Sequence, residues 1–246
     1  MSLTPEQVTQ FTEDGYLIHG DLITTNEAAA MQAAYLQCLD ELREQDKLAN
    51  IRESKDPDGL VRAVYQLRCA HLMHPLFNDL IHDPRLLDPV QSIIGPNIRV
   101  ILIQGLYKPP RSGGAITWHQ DDYYFRVERD NAMVSCWLTF DDVTIDSGCM
   151  WVIPGGHRSM VEHRAIEGGL EISEVDESAA VPVELKAGQC MFHHGLMPHR
   201  TLENRSDRHR CALAMHLMDA NVRLGESRMK EPKEHMPIVR GSGIEW

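Results

Sequence analysis

From Asn97 onward the chain is a succession of short apolar or alternating runs: IRVILIQGLYKP, ITWHQ, AMVSCWLTFDDV, CMWVIP, VPVEL, QCMFHHG and RCALAMHLM. Clusters of Asp, Gly, Pro and Ser separate them. Many short strands with turns between them predict a sandwich, jelly roll or barrel. Ahead of these runs the texture is helical. Thr4-Pro5-Glu6-Gln7 has the capping-box form with proline at the first helical position. Ala30, Ala33, Ala34, Leu36, Leu39 and Leu42 then space an apolar helical stripe. DGYLIHGDLI, between the two, reads as a turn into a short strand, and shorter helices are expected around 75–82 and 84–94.

No repeat, low-complexity segment or linker divides the 246 residues, so one domain over 1–246 is expected. Residues 1–96 form its mostly helical N-terminal part, 97–220 its strand-rich core and 221–246 a C-terminal tail. A net charge of −12 argues against a nucleic-acid partner, whose phosphates demand a basic face. No apolar run has a membrane-spanning length, and MSLTPEQVTQF lacks the basic and apolar regions of a signal peptide. Six scattered cysteines without a CxxC pair read as free thiols in a reducing cytoplasm. The expectation is a cytoplasmic monomer or homodimer.

The chemistry starts at ITWHQDDYYF. Strand alternation turns His119 and Asp121 to one side and Asp122 to the other, toward solvent or an arginine. An imidazole and a carboxylate aimed at one point need a third ligand to hold a transition metal. His193, His194, His199, His209 and His216 are the downstream candidates. Two histidines and one carboxylate leave open positions, the arrangement of non-haem Fe(II) oxygenases. In HRTLENRSDRHRCALAMHL, Arg210 opens an apolar strand and shares a side with Ala212, Ala214 and His216. A guanidinium aimed into an apolar barrel needs a partner charge, and a dicarboxylate co-substrate matches it.

LTPEQVTQFTEDGYLI, LYKPPRSGGAITWHQD, CWLTFDDVTIDSGCMWVIPGGHR and HRTLENRSDRHRCALAMH together resemble the phytanoyl-CoA dioxygenase (PhyH)-like family of Fe(II)- and 2-oxoglutarate-dependent oxygenases. The resemblance covers nearly the whole chain. It implies a mainly β fold: a double-stranded β-helix (jelly-roll, cupin-like) core with N-terminal helices packed on it. It makes His119, Asp121 and His199 the metal ligands, with Asn204 and Arg210 following in the family's pattern. Arg210 grips the far carboxylate of 2-oxoglutarate, Trp137 lines its pocket, and Gln104 and Lys108 add polar contacts. Ala212 departs from relatives that carry Ser or Thr two positions after the arginine, so another polar group must help. Related halogenases replace the carboxylate ligand with Ala or Gly; Asp121 therefore favours hydroxylation.

The implied enzyme uses Fe(II), 2-oxoglutarate and O2 to hydroxylate a small-molecule metabolite, with succinate and CO2 as co-products. Desaturation, epoxidation and cyclisation are alternative outcomes. A zinc-type hydrolase with the same triad, or a jelly-roll binding module, leaves Arg210 and the long resemblance unexplained. Tyr123, Phe125, Arg126 and His157 are candidate substrate contacts. Selectivity is expected in loops at 50–66, 122–130 and 157–180, the last a mobile loop or short helix over the barrel mouth. His194 is expected to hydrogen-bond within the pocket. No basic cluster suits a CoA phosphate, which disfavours an acyl-CoA substrate.

Overall fold

The runs after Asn97 pair into two antiparallel sheets that face each other. In a computed structural model describing residues 1–55, 61–129, 131–166, 169–226 and 230–242, the elements follow in this order. First come α1 (Pro5–Asp14), β1 (Tyr16–Asp21), α2 (Thr25–Glu44), β2 (Ala49–Lys55), β3 (Val61–Arg68), α3 (Pro75–Ile81) and α4 (Pro84–Ile94). Next are β4 (Ile98–Lys108), β5 (Ile116–His119), α5 (Asp122–Phe125), β6 (Met133–Thr139) and β7 (Met150–Val152). Last are β8 (His163–Ile166), β9 (Gly169–Ile172), β10 (Val181–Val183), β11 (Gln189–His194), β12 (His199–Thr201), β13 (Arg210–Asp219) and β14 (Ile238–Arg240). The major sheet runs β1-β11-β6-β13-β4-β3-β2, with β14 also on β4; the minor sheet runs β10-β7-β12-β5. This is the strand-rich jelly roll with N-terminal helices that the sequence implies.

Alternation along the strands divides two cores. Ile103, Leu138, Cys211, Leu213 and Met215 point out of the major sheet and pack under the helices, with Tyr35 and Phe77. Trp137, Met191, Ala212 and Ala214 point inward, against Met150, Val152 and Val183 of the minor sheet. β13 is covered on both faces, and all ten of its residues are buried. At Gly105 the helix layer touches β4 so closely that a Cβ would lie 2.0 Å from the Tyr35 ring. The expected N-cap forms at Thr4, and α2 is capped by Thr24 rather than opened at Asn26; each threonine accepts a hydrogen bond from the residue three positions on.

Three expectations need correction. Most of the stretch 50–66 is not a loop but the β2–β3 hairpin, which extends the major sheet beyond β4. The N-terminal part thus contributes three strands as well as its helices. Residues 157–180 are not one loop or short helix: at their centre β8 pairs with β9, which lies against β5, and short 3-10 turns flank the pair. Within 122–130 the chain forms the short helix α5. Of those stretches, residues 56–60, 130 and 167–168 lie outside the described residues, as do 227–229 and 243–246 of the tail.

Candidate metal centre

His119 and Asp121 do converge, but alternation is not the reason. β5 ends at His119, and Asp121 already has helical backbone angles (φ −60°, ψ −42°) at the head of α5. Its side chain makes no capping bond to that helix and is free to turn into the space between the sheets. Gln120, fully buried, fixes this turn: its amide donates to the carbonyls of Ser159 (2.9 Å) and Leu196 (2.7 Å) and accepts from the Val161 N–H (2.9 Å). Asp122 does not face solvent. It is buried, and its carboxylate accepts the Val127 N–H at 2.8 Å, closing the chain after α5.

The third ligand comes from the minor sheet, where His199 on β12 is the cross-strand partner of His119 on β5. One ligand atom each from His119, Asp121 and His199 lies within 4.8 Å of the others. Nδ1–H of His119 donates to the Thr117 carbonyl at 2.8 Å, and Nδ1–H of His199 to the Met197 carbonyl at 2.9 Å. Those bonds turn both Nε2 atoms toward Asp121 Oδ1, at 3.7 and 3.6 Å. Oδ2 of Asp121 is engaged instead by Ser135 Oγ–H (2.9 Å) and His193 Nε2 (3.1 Å). Burial alone would raise the Asp121 pKa, but the imidazoles of His216 and His199 and the His193 hydrogen bond hold it well below the usual carboxylate range. Two imidazole nitrogens and one ionised carboxylate oxygen on a common point suit a divalent iron and leave coordination positions open.

The inner face of the major sheet supplies the rest in regular rungs. His193, Ser135 and His216 are cross-strand partners, as are Met191, Trp137, Ala214, Gln104 and Arg68 in the next rung. Further along, Arg210 faces Lys108. Arg210 is fully buried; one Nη1–H reaches the Leu106 carbonyl at 3.1 Å, while Nε and Nη2 have no acceptor among the described residues. Burial pushes its pKa down to about 10, so it stays charged at neutral pH. Trp137 Nε1 is likewise buried without an acceptor. Lys108, also fully buried, donates to Thr201 Oγ1 at 2.8 Å and to the Leu202 carbonyl. Burial, and then the adjacent Arg210, push its pKa well below the usual lysine range.

The sequence profile described as phytanoyl-CoA dioxygenase (PhyH) matches residues 11–212. The chain belongs to the phytanoyl-CoA dioxygenase family. Phytanoyl-CoA dioxygenase domain-containing protein 1 of Rattus norvegicus is 26% identical over 89% of this chain and 91% of its own length. Among solved structures, the non-heme monooxygenase ThoJ superposes with a TM-score of 0.78 at 26% identity, covering 96% of this chain and 84% of its own. The alpha ketoglutarate dependent carbocyclase SnoK from nogalamycin biosynthesis superposes with a TM-score of 0.76 at 23% identity, over 96% of each chain. The protein is thus a 2-oxoglutarate-dependent non-haem iron oxygenase, with iron and 2-oxoglutarate as its cofactors.

Against that family background, the remaining sequence expectations divide. A cavity of about 270 Å³ between the sheets is lined by His119, Asp121, His199, Trp137, Gln104 and Phe125, among others. Tyr124 lines it too, whereas Tyr123 stacks on His163 at 3.9 Å and has the Arg126 guanidinium over its ring, 4.0 Å from the centroid. His157 is not brought to the cavity: it is buried against the α1–β1 turn, its Nε2 3.2 Å from the Thr12 carbonyl. His194 turns away as well, to Asn131 at 2.8 Å, and it is His193 that meets the carboxylate. Asn204 of the family pattern is structural: its amide donates to the carbonyls of Lys108, Pro109 and Arg208 and so closes the turn before β13. Sequence reasoning missed Ser135 and Gln66, whose hydrogen-bond partners lie on other strands or elements.

Proposed function

We propose that the protein hydroxylates an unactivated C–H bond of a small metabolite, with His119, Asp121 and His199 holding Fe(II) and Arg210 anchoring 2-oxoglutarate. The observation that carries this reading is the set of buried donors without acceptors, Nε and Nη2 of Arg210 and Nε1 of Trp137. A buried guanidinium left unpaired costs several kcal/mol (about 3–5). A guest carboxylate removes that cost, and a dicarboxylate can do so while its other end reaches the metal ligands. Lys108 and Thr201, hydrogen-bonded beside the Arg210 rung, supply the polar support that Ala212 cannot.

Bound iron with 2-oxoglutarate supplies the oxidising power, O2 being consumed as 2-oxoglutarate gives succinate and CO2 and one oxygen atom enters the substrate C–H bond. The chain's own part is to bind, orient and shield. His119 and His199 present their Nε2 atoms because Thr117 and Met197 take the Nδ1 protons. Asp121 presents one oxygen because Ser135 and His193 occupy the other. The presence of Asp121 keeps a protein ligand where a halogenase needs space for chloride, which supports hydroxylation.

A cavity of about 270 Å³ is at the small end for ligand sites and is shared with the co-substrate. A small substrate fits, held between the apolar Leu102 and Phe125 and the polar Gln66 and Arg68. All six cysteines are free and buried, which supports a reducing, cytoplasmic setting. Anaerobic addition of Fe(II) and then 2-oxoglutarate is expected to give a visible charge-transfer band that His199→Ala and Arg210→Ala abolish or weaken. No band in the wild type, or an undiminished one in both variants, overturns the reading. Screening small metabolites for stimulated succinate release then identifies the substrate.

A further inference from the structure

A file of hydrogen bonds leads from the cavity wall to the metal carboxylate, whose Oδ2 also has His193 Nε2 at 3.1 Å and His216 Nδ1 at 3.3 Å. Gln66 on β3 donates to Gln104 Oε1 on β4, and Gln104 Nε2 lies 3.0 Å from His216 Nε2 on β13. His216 Nδ1 lies 2.7 Å from Ser135 Oγ on β6, and Ser135 donates to Asp121 Oδ2 at 2.9 Å. Four strands contribute, and Gln66, Gln104, Asp121 and His216 all line the cavity.

Donor counting fixes the direction of every link. A carboxylate only accepts, so the one hydroxyl proton of Ser135 goes to Asp121. Ser135 must then accept from His216, which places the imidazole proton on Nδ1. Nε2 of His216 is consequently bare and accepts from the Gln104 amide nitrogen. The Gln104 oxygen is left facing Gln66, whose amide nitrogen donates to it. No link can be reversed alone; reversing one reverses all of them.

We propose that Gln66, Gln104, His216 and Ser135 form a polarity-locked positioning chain that keeps Asp121 Oδ2 occupied, so that Asp121 ligates through Oδ1 only. Its orientation is set at Asp121, and Gln66 is the end that meets the substrate space. This rests on the metal-centre reading above, and it identifies positioning residues beyond the ligand triad. Gln104 therefore serves the carboxylate ligand rather than 2-oxoglutarate. A substrate group that competes for Gln66 is felt at the metal carboxylate through the same file of bonds.

The decisive variant is Gln66→Glu. An ionised glutamate cannot donate, so Gln104 must turn its amide nitrogen toward it and its oxygen toward His216. The imidazole proton then moves to Nε2, Nδ1 becomes an acceptor, and Ser135 donates to His216 instead of Asp121. Nitrogen-15 NMR of histidine-labelled, metal-free protein at neutral pH reads this directly. His216 is expected as the Nδ1–H tautomer in the wild type and the Nε2–H tautomer in Gln66→Glu, with Gln66→Leu keeping the wild-type form.

A second readout is the anaerobic Fe(II)–2-oxoglutarate band. Gln66→Glu and Ser135→Ala are expected to shift it in the same direction and to weaken iron affinity about 10- to 100-fold, the usual effect of losing a partner to a ligand. Ser135→Thr, which keeps the hydroxyl, is expected to restore both. An unchanged His216 tautomer in Gln66→Glu overturns the chain whether or not iron binds. An unmoved band in Ser135→Ala overturns the positioning role. A tautomer switch in a protein whose wild type shows no band would instead sink the metal assignment and leave the chain standing.

Discussion

Arg210 and Lys108 face each other across one rung of the β13–β4 ladder, both fully buried, and among the described residues neither forms an ion pair. A buried guanidinium beside a buried amine, with no counter-charge, destabilises the free protein and favours an anionic guest. Arg210→Met removes the unmet charge with similar bulk, so without 2-oxoglutarate the variant should be as stable as the wild type or more so. Its affinity for 2-oxoglutarate should fall by about 2–5 kcal/mol. Thermal melts with and without 2-oxoglutarate check both: the ligand should raise the wild-type Tm and leave that of Arg210→Met unmoved.

Asp121 and Asp122 are neighbours with separate duties. Asp121→Ala should abolish iron binding and turnover. Asp122→Ala leaves the ligand set intact but strands the buried Val127 N–H, costing about 1–3 kcal/mol of stability. Chemical denaturation with a metal titration separates them. Equal loss of iron affinity in both variants would refute this division.

His194 makes stability fall in mild acid. Its Nε2–H donates to Asn131 Oδ1 at 2.8 Å and its Nδ1 accepts from the Leu196 N–H at 3.0 Å, so the neutral ring is fully engaged. Burial, then the neighbouring His157 and His193, push its pKa from 6.5 down to about 4. Below pH 6.5 the unfolded chain takes up a proton that the folded chain refuses until about pH 4. The resulting loss is ~3 kcal/mol across that window, with no further loss beneath it. Urea midpoints at pH 7 and 4.5 should drop less in His194→Gln than in the wild type.

Gly105 tests the contact between the helices and the sheet. A methyl group there meets the Tyr35 ring at 2.0 Å, and Tyr35 is itself fully buried. Gly105→Ala should cost about 1–3 kcal/mol. Adding Tyr35→Leu should recover part of that cost, measured as a non-additive double-mutant cycle. Simple additivity would show that the ring moves aside freely.

The triad and the arginine were legible because His-x-Asp is a local signal and the family pattern singled out His199 and Arg210, which stand on consecutive strands of the two sheets. The jelly-roll core was legible from short apolar runs. The β2–β3 hairpin was not, because ANIRESK and VRAVYQLR mix charge with apolar residues as an edge hairpin does. Asp122 was misplaced because alternation was carried past the end of β5 into a helical turn. Ser135 was invisible for a different reason. Its partners His193 and His216 are distant in sequence, and only the register of three strands puts them in one rung.

The cavity wall is assembled from two kinds of parts. The ligand triad, Trp137 and Gln104 stand on strands of the paired sheets or at the end of one, whereas Gly169 and Tyr124 reach the cavity from the β8–β9 hairpin and α5. Exchanging that hairpin for one of another length and composition would redraw what the enzyme admits without disturbing its oxidative machinery. The fold therefore offers an engineer a replaceable faceplate on a fixed engine.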